Sequence, residues 1–194
     1  MQLPPSESKT QSALGPPTDL KTVVESEVKE WHFHIYFLQN NEEQHAEALA
    51  LRDAVLRLRR DGAFVAVPLW RVNTEPIGPH PAGSYEIWCP SETFASLYSY
   101  LCQHHGNLSI LIHPLTREHR KDHDSRAAWI GKPWPVDLSK LPVYTVHIPL
   151  QYSSLKLGYS SEAQGPSLEE RKKNGSLLES KLENEDEAAK APKQ

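Results

Sequence analysis

The stretch WHFHIYFL, residues 31–38, decides the fold. It is aromatic and β-branched throughout, which suits a strand covered on both faces. Side chains alternate along a strand, so Trp31, Phe33, Ile35 and Phe37 share one face and His32, His34 and Tyr36 share the other. Working outward, residues 41–44 (NEEQ) resemble a capping box, and Ala48, Leu51, Val55 and Leu58 follow at helical spacing. Glu42, Glu43 and Glu47 near the start and Arg57, Arg59 and Arg60 at the end suit the helix dipole, and Gly62 stops the helix. Residues 63–70 (AFVAVPLW) read as a second strand, sent to the sheet edge by Pro68, which lacks an N–H. A Pro/Gly loop over 73–83 leads to a third strand at 84–89 (SYEIWC). Ser91 then caps a helix carrying Phe94, Leu97, Tyr98 and Leu101, and 108–113 (LSILIH) is a fourth strand. The order β-α-β-β-α-β is that of the α+β, ferredoxin-like fold.

That fold makes the first and third strands central, puts the fourth beside the first, and covers one face with both helices. The helix-free face then receives His32, His34 and Tyr36, with Glu86 and Trp88 alongside on the third strand. One of the two phases of the fourth strand adds His113. Imidazole and carboxylate together suit a divalent transition metal, and two His plus a carboxylate leave positions open on non-haem Fe(II). His-x-His on a strand sets two ring nitrogens on one side, and a carboxylate among aromatics calls for a cation or a raised pKa. The expected ligands are His32, His34 and one or two of His113 and Glu86. The plainer alternative is interfacial histidines bonded to backbone or water. His80 enters the same region from its loop. His119 and His123, four residues apart, form a rival pair if residues 118–129 are helical.

All five Trp and all ten His lie within residues 31–147, and the polar material gathers at the two ends. The expected organisation is a disordered tail over 1–27, a domain over 28–150 and a disordered tail over 151–194. In the second tail, residues 167–190 can form a partner-bound helix interrupted by Gly175. With 21 Lys+Arg against 25 Asp+Glu, the formal charge is −4, and no basic block is present. Nucleic acid and anionic membranes are therefore not expected partners. No run of apolar residues is long enough for a membrane helix, and no secretory or Arg-rich leader is evident. Cys89 and Cys102 are expected to be reduced core residues in a cytoplasmic protein.

Four segments in order, Trp31-His-Phe-His-Ile-Tyr-Phe37, Gly78-Pro-His-Pro-Ala-Gly83, Leu111-Ile-His-Pro-Leu115 and Asp122-His-x-x-Arg-Ala-Ala-Trp-Ile-Gly131, resemble the fungal-type DOPA 4,5-dioxygenase family. The resemblance runs from about residue 30 to 142. It implies a dimeric α/β barrel and Fe(II)-dependent extradiol cleavage of a catechol such as L-DOPA by O2. It marks His32, His34, His80, His113, His123, Arg126 and Trp129 without fixing the ligand set. On this reading His80 or His123 moves the proton, Arg126 holds a substrate carboxylate, and Tyr36 and Trp129 line the substrate site. The homodimer is expected over the helix-free face, because one sheet leaves Tyr36 and Trp88 uncovered. A non-catalytic small-molecule or metal-binding barrel, and a haem-using or cofactor-free oxygenase, are the alternatives.

Overall fold

Strand β1 (Glu30–Phe37) lies in the middle of an antiparallel sheet, because both of its edges find partners. On one side β3 (Gly83–Pro90) sets Trp31 opposite Cys89 and His34 opposite Glu86. On the other, β4 (Ser109–Pro114) sets His32 opposite His113. β2 (Val67–Pro68) extends the sheet beyond β3, and β5 (Ala128–Ile130) extends it beyond β4, giving the order β2-β3-β1-β4-β5. The structure is a computed structural model that describes residues 15–163 and 165–192.

The first four strands keep the ferredoxin-like order. The sheet of the chain is not closed: β2 and β5 are its edges among the described residues. The second strand, expected over 63–70, pairs over only two residues and ends at Pro68, which has no N–H to continue the ladder. β5 (Ala128–Ile130) arises inside the long segment after His113, for which no strand was expected. α4 is correspondingly short, His119–His123.

α2 (Glu42–Arg60) and α3 (Phe94–His104) cover one face of the sheet. Asn41 accepts from the Gln44 backbone N–H at 3.0 Å, and the Gln44 side chain reaches back to the Leu38 N–H at 2.9 Å, so helix and strand are tied at the turn. Phe33, Ile35 and Phe37 are buried against Ala48, Leu51, Val55, Leu97 and Leu101. At about 1.5–3 kcal/mol for each large side chain removed from water, this layer is the main source of stability. Two expectations fail locally. Ser91 does not cap α3: a 3-10 turn, Ser91–Thr93, intervenes, and the Ser91 hydroxyl donates to the Val28 carbonyl at 2.7 Å. Cys102 is exposed, because the helix phase that buries Leu101 turns its neighbour outward, whereas Cys89 is buried.

The chain itself covers the other face. Trp129 and Trp134 lie against Tyr36, with ring centroids 5.4 and 5.9 Å away, and Tyr152 lies 5.1 Å from Trp88. Tyr36 and Trp88 are buried within one chain, so the uncovered aromatic surface that suggested a homodimer does not exist. The compact unit carrying the sheet runs over Val28–Glu162, twelve residues past the expected boundary at 150. Its last part is a strap in which the Tyr159 backbone N–H donates to buried Glu30 at 3.0 Å and the Tyr159 hydroxyl donates to the Leu115 carbonyl at 2.9 Å.

A second unit comprises residues 1–27 and 163–194. Its described part holds α1 (Leu20–Glu25) and α5 (Leu168–Leu182), the latter opened by a Ser167/Glu170 capping box. Arg171 pairs with Glu27 at 2.9 Å. The tail expectation for residues 1–14 falls outside the described residues. No helix among the described residues is long and apolar enough to cross a membrane.

Candidate active site

β1 alternation delivers His32, His34 and Tyr36 to the face away from the helices, and antiparallel register brings His113 opposite His32. His34 Nε2 lies 3.1 Å from His113 Nε2. Two further histidines close over them. The 73–83 loop makes a tight turn in which Ile77 and His80 exchange backbone hydrogen bonds at 3.1 and 2.9 Å, and this sets the His80 ring 4.2 Å from that of His34. α4 sets the His123 ring 3.8 Å from that of His113.

Most of these rings are oriented by a second contact. His113 Nδ1 donates to the Pro114 carbonyl at 2.8 Å, and His123 Nδ1 to the His119 carbonyl at 2.9 Å, which leaves Nε2 as the free lone pair of each neutral ring. His80 Nδ1 meets the Tyr36 hydroxyl at 2.5 Å. His32 has Glu86 Oε2 at 3.3 Å from Nδ1 and Gln151 Oε1 at 3.0 Å from Nε2, while the Gln151 amide donates to Glu86 Oε1 at 2.8 Å.

Burial holds His34 and His113 well below the ordinary imidazole range, and neighbouring imidazoles push them further the same way. His32 is lowered by burial, with Glu86 opposing. Burial and His123 bring His80 down to about 4, and burial lowers His123 against the pull of the His119 carbonyl. At neutral pH the rings are uncharged and carry lone pairs, the form a metal ligand or a base needs. Two groups of three have their ligand atoms within 4.8 Å of one another: His32, His34 and His113, and His34, His80 and His123. Glu86 belongs to neither, and the rival pair brings only His123 to the cluster. The buried triad can hold a metal ion.

A cavity of about 240 Å³ opens onto the cluster, and a second, of about 190 Å³, lies on the other side of His34, His80 and Glu86. A larger cavity of about 520 Å³ lies beyond Tyr36 and Trp134 and touches none of the five clustered histidines. Arg126 does not reach out as a free clamp. Its guanidinium is tied to Glu118, and to Asp122 at 3.0 Å. Asp122 is buried and also accepts from the Thr116 backbone N–H and hydroxyl at 2.9 Å, so this network pins α4 and with it His123. Trp129 packs against Tyr36, with ring centroids 5.4 Å apart, and lines none of these three cavities.

Asp122 and Gln151 were missed in the sequence. The Asp-His pair at 122–123 was a usable signal for the first. Nothing local marks Gln151, which meets His32 across 119 residues.

A model of the Dopa 4,5-dioxygenase family matches residues 31–140, a span holding all five clustered histidines. A DOPA 4,5-dioxygenase from Amanita muscaria is 64% identical over 185 residues, 95% of this chain and 81% of that protein. An uncharacterized 21.2 kDa protein from Botryotinia fuckeliana is 37% identical over 115 residues, 55% of this chain and 60% of that one. Among solved structures, a "putative dioxygenase" from Nostoc punctiforme superimposes with a TM-score of 0.52 at 25% identity, covering 58% of this chain and 90% of that one. Similarity to the fungal protein over 95% of the chain and a family match over residues 31–140 lead to one conclusion: the chain belongs to the Dopa 4,5-dioxygenase family.

Proposed function

We propose that the chain is a non-haem Fe(II)-dependent extradiol dioxygenase that opens the ring of a catechol such as L-DOPA with O2. The observation that carries this reading is the buried triad His32, His34 and His113 in a chain of this family. The donor set fits the ion, since neutral imidazoles suit Fe(II) and the second nitrogens of His32 and His113 already have the carboxylate and carbonyl partners typical of ligating histidines. His32 would hold the ion through Nε2, where Gln151 now sits, and Glu86 would orient it from Nδ1. Fe(II) held there would supply the redox chemistry for reaction of the catechol with O2.

The remaining residues move the proton and shape the space. His80 is half-buried, neutral and bonded at Nδ1 to the Tyr36 hydroxyl, which can donate or accept. His80 therefore carries its proton on either nitrogen, as a group must that takes a catechol proton and later returns it. His123, fixed by the His119 carbonyl, is the second candidate for that role. Tyr36 acts through its hydroxyl on His80, Trp129 packs behind Tyr36, and Arg126 acts by pinning α4.

The test is to load the full-length protein with Fe(II) without oxygen, then supply L-DOPA and O2. One iron per chain and equal consumption of L-DOPA and O2 are expected. His34→Ala should stay folded and lose the iron, and His80→Gln should keep the iron but lower kcat by about 10²–10⁴. Iron-loaded protein that consumes no catechol overturns the reading.

A further inference from the structure

The 190 Å³ cavity is lined by Arg71, Asn73 and Ser84 as well as by His34, His80 and Glu86. One of these side chains lacks the partner its chemistry calls for, and another carries a charge that no neighbouring side chain among the described residues takes up. The Ser84 hydroxyl is buried, with the residue 1% exposed, and makes no hydrogen bond; it is the lone such side-chain atom among the described residues. Buried polar atoms are nearly always satisfied, so an orphan at a cavity wall points to something that occupies the cavity. Arg71 makes no ion pair among the described residues, unlike Arg126, whose charge is taken up by Glu118 and Asp122. The backbone here is firmly set, because Asn73 and Ser84 exchange N–H···O bonds at 2.8 and 2.9 Å.

We propose that this cavity is the specificity subsite for the amino-acid end of the substrate, with Arg71 and the Ser84 hydroxyl taking its carboxylate. The proposal deepens the dioxygenase reading and rests on it for the catechol ring, which lies at the histidine cluster. His34, His80 and Glu86 line both cavities, so one molecule reaches from the cluster into the subsite past them. Glu86 lies at the same wall, but its carboxylate is already taken by His32 and Gln151. A guanidinium with a hydroxyl donor matches the carboxylate of an α-amino acid better than a bare catechol, which would leave both unused.

The test is calorimetric titration of the full-length protein under anaerobic conditions with L-DOPA and with dopamine, which lacks the carboxylate. The native chain should prefer L-DOPA by about tenfold or more, the usual worth of a charge-assisted contact. In Arg71→Gln the ratio should fall to near one, and in Ser84→Ala L-DOPA binding should weaken several-fold. Arg71 is exposed, so its replacement does not threaten folding. A native ratio near one, a preference that survives Arg71→Gln, or no binding of either compound overturns the subsite. Ring cleavage without a preference sinks the subsite and leaves the dioxygenase reading standing. An Arg71-dependent preference without ring cleavage supports the subsite and sinks the dioxygenase reading.

Discussion

His80 offers a quantitative test of how thoroughly the chain dehydrates its histidine cluster. Its folded pKa is near 4 against 6.5 for a free imidazole, with burial the first cause and His123 the second. Between those values the unfolded chain binds a proton that the folded chain refuses, so stability falls as pH falls. This contribution is fully present above pH 6.5 and is lost progressively down to about pH 4. Since each decade of proton affinity is worth about 1.4 kcal/mol, the whole displacement corresponds to about 3 kcal/mol and the part felt at pH 5 to about 2 kcal/mol. Urea unfolding of metal-free native chain and of His80→Gln, at pH 7.5 and pH 5, isolates it, because the carboxylates and other histidines titrate in both proteins. The stability difference between the two should shift by about 2 kcal/mol in favour of His80→Gln on going to pH 5. A difference that stays constant between the two pH values would mean that water reaches His80 and would refute the packing argument.

Three further outcomes follow from single contacts. Ser84→Ala removes a buried hydroxyl that has no partner, so thermal unfolding should show a change between zero and about 1 kcal/mol of added stability. Gly158→Ala should lower stability by about 1–3 kcal/mol in urea, because Gly158 has φ +61° and an added Cβ would sit 2.4 Å from Glu30 Cγ. A chain ending at residue 162 should keep the melting temperature of residues 28–194, whereas one ending at 150 should melt several degrees lower, having lost the Tyr159 bonds to Glu30 and Leu115 and the Tyr152 contact with Trp88.

The histidine face was legible because a strand has a period of two. Once 31–38 was read as a central strand, Phe33 and Ile35 had to point one way and His32 and His34 the other, and the structure places them so. α2 was equally legible, since its cap, charge bias and stripe agree. The covering of that face was not. β5 is three residues long, and its pairing of Leu111 with Trp129 depends on a partner strand rather than on any pattern in AWI. The strap after residue 150 is short of apolar residues, and what holds it is Glu30, whose partners Trp88 and Tyr159 lie far away in sequence. Local composition describes such a segment as tail because the stabilising contacts are all non-local. The same gap explains the mistaken reason for a dimer: the surface that seemed bare is covered by residues whose local sequence gave no sign of it.

The two faces of β1 do opposite things to stability, and this accounts for the position of the site. On one face Phe33, Ile35 and Phe37 bury apolar area; on the other His32 and His34 give up hydration to sit in contact with further imidazoles. Each buried polar ring without full compensation costs on the order of 1–3 kcal/mol. A cluster of that kind on an edge strand or a loop would relax by moving apart or drawing in water. β1 cannot do so, because its backbone is bonded to β3 on one side and β4 on the other, and its inner face is anchored under α2. Groups that must meet one metal ion need placing to within about half an ångström. The strand that carries the crowded imidazoles is therefore also the strand rigid enough to hold them there, while His80 and His123 are brought to the cluster from a hydrogen-bonded turn and a short helix pinned through Asp122.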